Sequence, residues 1–162
     1  MVQHSITKPR KILFVCLGNI CRSPMAEAVM ARLVQENGYE GEFTLDSAGI
    51  ISYHRGELPD SRMRSHAGRR GYRLTHRSRP VHTDDFYRFD LIIGMDAGNM
   101  DALHERAPST DEWEKIHCIT DYCTRFTDAD QVPDPYYGGD AGFEYVIDLL
   151  EDACAGLLAQ CR

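Results

Sequence analysis

The sequence predicts an α/β fold: a four-stranded parallel sheet flanked by helices on both faces. Three observations carry this expectation. Short, continuously apolar runs such as Ile12–Val15 and Leu91–Ile93 have the composition of strands covered on both sides. Helical patterns separate the strand candidates, which calls for parallel pairing through crossover helices. The chain of 162 residues also ends in an amphipathic stretch, with apolar residues at 143, 146, 147, 149, 150, 153, 154, 157 and 158. A stripe of that spacing is suited to cover one face of a sheet.

The elements follow in order. Residues 1–10 read as a polar leader and 11–162 as a single domain, a length that buries a sizeable core without staples. The first strand spans Lys11–Leu17 and is broken by Gly18 and Asn19. Ser23-Pro24 then opens a helix from Met25 to about Asn37, the hydroxyl as cap and the proline in the first turn, and Gly38 stops it. Residues 42–48 alternate as a second strand ending at Gly49. Residues 60–71 read as a basic helix, Asp90–Met95 as a third strand, and the stretch to about Arg106 as helical. A fourth strand is placed within 113–120, and residues 140–160 form the closing helix. In such sheets ligands bind beyond the carboxyl ends of the strands. The turn from Cys16 to Ser23 is therefore the most informative segment of the chain.

Composition narrows the partners. There are 25 acidic and 18 basic residues, a net charge of −7, which makes the chain a poor non-specific binder of nucleic acid. The apolar run Ile12–Leu17 is too short to span a membrane and leads into no signal-peptidase site, so a cytoplasmic protein, taken to be a monomer, is expected. Six cysteines occur at 16, 21, 118, 123, 154 and 161 with no Cys-x-x-Cys pair, so neither structural metal nor any cofactor is expected. Charge is unevenly spread: residues 54–79 hold eight arginines against Glu57 and Asp60, a local balance of +6, leaving −13 for the rest. This stretch is either a solvated helix face or a surface that meets acidic substrates or partners.

Chemistry concentrates in Cys16-Leu17-Gly18-Asn19-Ile20-Cys21-Arg22-Ser23-Pro24. The spacing of Cys and Arg is common by chance, but here it brackets a strand-to-helix turn. Gly18 and Asn19 tolerate the backbone angles that turn successive N–H groups inward. With the following helix N-terminus they make a phosphate-binding loop, in which Arg22 can fork onto two phosphate oxygens. N–H dipoles, helix terminus and guanidinium each favour a thiolate at Cys16, placing an in-line nucleophile beneath a bound phosphate or other oxyanion. A leaving oxygen needs a proton. Asp134, in Val132-Pro-Asp-Pro-Tyr-Tyr-Gly138, is the candidate acid, with Tyr136 and Tyr137 as aromatic walls; read alone, the same segment is equally a simple turn.

These segments resemble the low-molecular-weight protein tyrosine phosphatases. The loop at 16–24, Asp-Ser-Ala-Gly at 46–49, Gly-Met-Asp at 94–96 with Asn99, and Asp-Pro-Tyr-Tyr-Gly at 134–138 match in kind, order and spacing from about Lys11 onward. The resemblance implies a four-stranded parallel sheet and hydrolysis of phosphotyrosine in protein substrates through a cysteinyl-phosphate. In that scheme Cys16 is the nucleophile, Arg22 the phosphate clamp, and Asp134 the general acid and then base. Leu17, Gly18, Asn19, Ile20, Cys21 and Ser23 bind the phosphate group, Ser23 also bonding the Cys16 sulfur. Tyr53, Tyr136 and Tyr137 border the substrate, and Ser47 and His76 support Asn19, although His76 reads equally well as a surface histidine. Cys21 is similar to the family's second loop cysteine, able to trap Cys16 in a reversible disulfide; a small packing residue is the alternative. Two departures stand out: Ile50 replaces the usual Thr, and Tyr53 the usual Trp before histidine. An apolar branched residue at position 20 fits phosphotyrosine, whereas phosphoarginine-directed relatives tend to carry a small hydroxyl there.

Two other functions share parts of this pattern. An arsenate reductase needs relay cysteines near residues 80–95, where this chain has none. A phosphocarrier would hold phosphate on Cys16 without needing an acid at Asp134.

Overall fold

The run Lys11–Cys16 forms β1, an inner strand of the sheet whose two neighbours both follow it in the chain. In the computed structural model, which describes residues 8–135 and 138–162, β2 (Thr44–Gly49) and β3 (Leu91–Gly94) flank β1, and β4 (Ile116–Cys118) completes the sheet. The order is β2-β1-β3-β4 and every pairing is parallel. The strand order thus reverses at β1, and the crevice of a parallel sheet opens at such a switch point. Cys16, the last residue of β1, stands opposite Gly49 there.

Helices cover both faces. They are α1 (Arg22–Glu36), α2 (Ser61–Arg69), α3 (Thr83–Arg88), α4 (Ala97–Arg106), α5 (Thr110–Trp113) and α6 (Gly139–Cys161), with a 3-10 turn at Ile119–Tyr122. Alternation along β1 divides the core. Ile12, Phe14 and Cys16 join the layer under α1, α2 and α6, with Met25, Ile147 and Leu157. Leu13 and Val15 join Phe86 of α3 and Leu103 of α4 on the other face. Ile12, Leu13, Phe14 and Val15 are fully buried, and each such side chain contributes about 1.5–3 kcal/mol. Among the described residues no helix is long and apolar enough to cross a membrane.

Three elements depart from the sequence expectation. Helix α1 starts at Arg22 rather than Met25, and Ser23 does not cap it. Its N-cap is Cys21, with no side-chain cap, because the Ser23 hydroxyl is turned toward Cys16 and Asn19. The fourth strand is only three residues long. Residues 110–113 are helical because Ser109 precedes an acidic first turn, its Oγ donating to Glu112 Oε1 at 2.6 Å. Helix α3 has no counterpart among the expected elements; Asp85 closes it by accepting from the His82 N–H at 2.7 Å.

Glycine decides one helix contact. At Gly156 on α6, a Cβ would lie 1.9 Å from the Tyr122 carbonyl oxygen, so a methyl there must separate α6 from the 3-10 turn. Gly156→Ala should lower stability by about 1–3 kcal/mol. Gly68→Ala on α2, with nothing within 4 Å, should be neutral or raise it by up to about 1 kcal/mol. Thermal unfolding of both variants checks this; equal effects would contradict the close approach at Gly156.

Candidate active site

Asn19 organises the turn after β1. Its backbone is left-handed, φ 56°, the one positive-φ residue other than glycine among those described, a conformation asparagine tolerates better than most side chains. Its side chain is 1% exposed and fully hydrogen-bonded. Nδ2 donates to Ser23 Oγ at 2.8 Å and Ser47 Oγ at 3.0 Å. Oδ1 accepts from the Arg79 N–H at 3.0 Å and from His76 Nε2 at 2.9 Å. Gly49 makes room beside it: a Cβ there would come within 3.1 Å of Asn19 and 3.0 Å of the Leu17 carbonyl oxygen.

The hydrogen bonds run on to the nucleophile candidate. Ser23 Oγ lies 3.0 Å from Cys16 Sγ; since it accepts from Asn19, its own hydrogen is available to the sulfur. Ser47 Oγ likewise donates to Glu27 Oε1 at 2.7 Å. Asn19 Oδ1 only accepts, so His76 Nε2 carries a proton and Nδ1 faces Glu27 Oε1 and Asp46 Oδ1, each 3.4 Å away. Burial holds His76 below its ordinary value, against the pull of Asp46. Burial also raises the Glu27 carboxyl to about 7, opposed by the Ser47 hydrogen bond and reinforced by Asp46. Glu27, Asp46 and His76 bring three potential metal-ligand atoms within 4.8 Å of one another. His76 bonds Asn19 directly and Glu27 reaches it through the Ser47 hydroxyl, while Asp46 accepts from the Ser47 N–H and pairs with Arg79 at 2.9 Å.

Arg22 is 4% exposed and oriented by one nitrogen. Its Nη1 donates to Asp96 Oδ2 at 2.7 Å and to the Val132 carbonyl at 3.0 Å, and among the described residues its Nε and Nη2 meet no acceptor. Burial alone would lower its pKa, but Cys16 and Asp96 raise it overall. Asp96 is in turn fixed as the N-cap of α4, accepting from the Asn99 N–H at 2.8 Å. The same Val132 donates its N–H to the Met95 carbonyl at 2.8 Å, so the segment leading to Asp134 is tied to both Arg22 and the end of β3. Upstream, Asp152 of α6 accepts from the backbone N–H groups of Thr124, Arg125 and Phe126.

Cys16, Leu17, Gly18, Ile20, Cys21, Arg22 and Asp134 line one cavity of about 100 Å³, closed by Ile51, His54 and Asp60. Exposed Leu17 and Ile51 give its mouth an apolar border. Of the other residues named from sequence, Asn19, Ser23, Ser47 and His76 stand behind the loop rather than in the cavity. Tyr53 is 83% exposed and outside the lining; it meets His54 edge-on at 4.9 Å, and His54 takes the wall position. Tyr136 and Tyr137 lie outside the described residues. Cys21 is held as a thiol, its pKa raised by burial and then by Cys16, Asp60 and Asp134. Sequence reasoning missed Ile51, His54, Asp60 and Asp96 as site residues. Only Asp96, in the Gly-Met-Asp motif, carried a signal.

A small cavity lined by a buried cysteine, a buried arginine held by Asp96 and an exposed aspartate is the geometry on which the comparisons with known proteins bear. The family profile described as low molecular weight phosphotyrosine protein phosphatase matches residues 11–162. The chain belongs to that family. A Synechocystis relative is 50% identical over 148 residues, covering 91% of this chain and 94% of its own. The crystal structure of a protein tyrosine phosphatase from Entamoeba histolytica, with Hepes in its active site, superposes with a TM-score of 0.90 at 49% identity, covering 93% and 95% of the two chains. A Drosophila arginine phosphatase is similar at 34% identity and a TM-score of 0.85, over 92% and 96%. The family's four-stranded parallel sheet is the one observed here, with Cys16 following its first strand.

Two expectations follow. Asp96→Asn should loosen Arg22 and lower kcat/KM on an aryl phosphate at least tenfold, as misplacement of a clamp does; an unchanged value would contradict the role given to the pair. A carboxyl raised from 4.5 to about 7 holds its proton more tightly in the folded state. Its contribution to stability is then full below about pH 4.5 and lost as pH rises through about 7. Glu27→Gln should flatten that part of the stability–pH profile in denaturant titrations, and an identical slope would refute the assignment.

Proposed function

We propose that this chain is a protein-tyrosine phosphatase that hydrolyses phosphotyrosine monoesters by a two-step covalent route, with Cys16 as nucleophile. One observation carries the reading: Cys16, the Arg22 guanidinium and Asp134 border the same small cavity at the switch point of the sheet. Phosphate oxygens are held by the loop N–H groups of 17–22 and by Arg22, at the uncapped positive end of α1. The Cys16 sulfur attacks phosphorus while Asp134 gives its proton to the departing tyrosyl oxygen, forming the S–P bond as the P–O bond breaks. Asp134, now a carboxylate, takes a proton from water as that water attacks phosphorus. Phosphate leaves, and the sulfur departs as a thiolate stabilised by the Ser23 hydroxyl.

Ile20 and the apolar border of Leu17 and Ile51 support an aryl ester over a guanidino phosphate. That distinction matters because an arginine phosphatase is among the similar structures. The same reading has the enzyme act as a cytoplasmic monomer with no metal or other cofactor. It also makes Cys21, on the cavity wall, the thiol available to Cys16 for a reversible disulfide.

Phosphate release from a phosphotyrosine peptide, by reduced protein in EDTA, is the test. Release that is lost in Cys16→Ser supports the reading; none from well-folded reduced protein overturns it. Asp134→Ala should slow turnover by roughly 10²- to 10³-fold on esters with poor leaving groups and much less on p-nitrophenyl phosphate. A uniform loss across leaving groups would remove Asp134 as the acid.

A further inference from the structure

The eight arginines of residues 54–79 do not share one fate. Arg70 bonds Glu144, Asp148 and Glu151 of α6. Arg79 bridges Asp46 and Asp85, and Arg62 pairs with Asp60 and lies over the Phe143 ring. These three are structural. Arg64, Arg73 and Arg77 are exposed, and among the described residues no carboxylate pairs with any of them.

Those three arginines lie along one track that starts at the catalytic cavity. A second cavity of about 460 Å³ shares Ile20, His54 and Asp60 with the Cys16 cavity and is bordered by Arg64 and Arg77. A third, of about 390 Å³, shares Leu58 and Arg64 with the second and adds Arg73. The acids along the way are already engaged. Glu57 pairs with His54 Nδ1 at 2.8 Å, and Asp60 caps α2 through the N–H groups of Arg62 and Met63. The arginine stems are partly fixed: Arg64 Nε donates to the Pro59 carbonyl and Arg77 Nη1 to the Gly56 carbonyl, both at 2.9 Å. Their remaining guanidinium N–H groups border the groove without a carboxylate partner among the described residues, on a chain whose net charge is −7. This is a local positive field leading away from the phosphate site, and its chemical complement is a carboxylate-bearing peptide.

We propose that Arg77, Arg64 and Arg73 form a substrate-recognition track that binds acidic side chains flanking the phosphotyrosine, so that the enzyme selects phosphotyrosine set in an acidic segment. The inference rests on the phosphatase reading above and names the substrate class of that same site. Leu58, 39% exposed, adds an apolar contact between the arginines. The track selects through kcat/KM and plays no part in bond breaking, so a small aryl phosphate that does not reach it is indifferent to it.

The test compares two phosphotyrosine peptides, identical except that Glu residues flanking the phosphotyrosine on both sides in one are Gln in the other. Both are hydrolysed by the wild type and by the triple variant Arg64→Gln, Arg73→Gln, Arg77→Gln, with p-nitrophenyl phosphate as control. Wild type should favour the acidic peptide about tenfold in kcat/KM, the size of two or three exposed ion pairs acting together, and the preference should shrink in 0.5 M salt. The triple variant should lose the preference while keeping turnover of the small aryl ester. Equal rates on the two peptides in the wild type, or a preference that survives in the variant, would overturn the proposal. If the wild type fails to hydrolyse even p-nitrophenyl phosphate, the phosphatase reading itself falls, and the two failures are thereby told apart.

Discussion

At Asn19 the backbone is held left-handed while all four hydrogen-bonding positions of the side chain are occupied, by Ser23, Ser47, His76 and the Arg79 N–H. The partners come from separate parts of the chain, so the turn can take this shape only once β1, β2, α1 and the stretch before α3 have come together. A sparsely populated backbone conformation of this kind persists where its surroundings over-determine it. The consequence appears along the turn itself, where Cys16, Leu17, Gly18, Ile20, Cys21 and Arg22 line one small cavity at the start of α1, a helix end with no side-chain cap. Donors fixed in place before the reaction begins stabilise developing charge more than any other single device an active site uses.

The second half of the site follows from a second convergence. Arg22 cannot be both buried and useful unless something fixes it, because a guanidinium taken out of water needs a partner. Asp96 supplies that partner and is itself immobilised by capping α4. The Val132 carbonyl shares the same arginine nitrogen, so the clamp also sets where the chain runs two residues before Asp134. The nucleophile candidate is thus held by the bonds that run from Asn19 through Ser23, and the clamp candidate and the segment leading to Asp134 by a second set that runs through Asp96 and Val132.

Much of this is legible in the residues alone. The switch-point loop, the strands around β1 and the closing helix are each readable because continuous apolar runs and a 3.6-residue stripe leave few alternatives. Asp60 as a helix start is readable for the same kind of local reason. What is not legible depends on tertiary partners. Ser23-Pro24 looks like a cap and first turn, and the hydroxyl instead bonds Cys16 and Asn19. His76 carries no signal separating a surface histidine from a support of Asn19, since that depends on where residues 76–79 return to the sheet. The same applies to the arginines of 54–79. Their number is plain in the sequence, but only the fold shows that Arg62, Arg70 and Arg79 meet acids while Arg64, Arg73 and Arg77 meet none among the described residues, and for Arg70 those acids lie far away in the chain. Tyr53 is placed by motif position, and the loop turns His54 inward in its stead.

The most direct measurement is the affinity of Asn19→Gly for inorganic phosphate, by titration calorimetry, alongside its thermal midpoint. Glycine accepts the left-handed backbone at no steric cost, so this variant keeps the conformation available and removes only the side-chain bonds. If those bonds hold the loop in its binding shape, phosphate affinity should fall at least tenfold in a protein that still unfolds cooperatively. An affinity equal to wild type would show that the loop keeps its shape without Asn19, and would contradict the central place given to it.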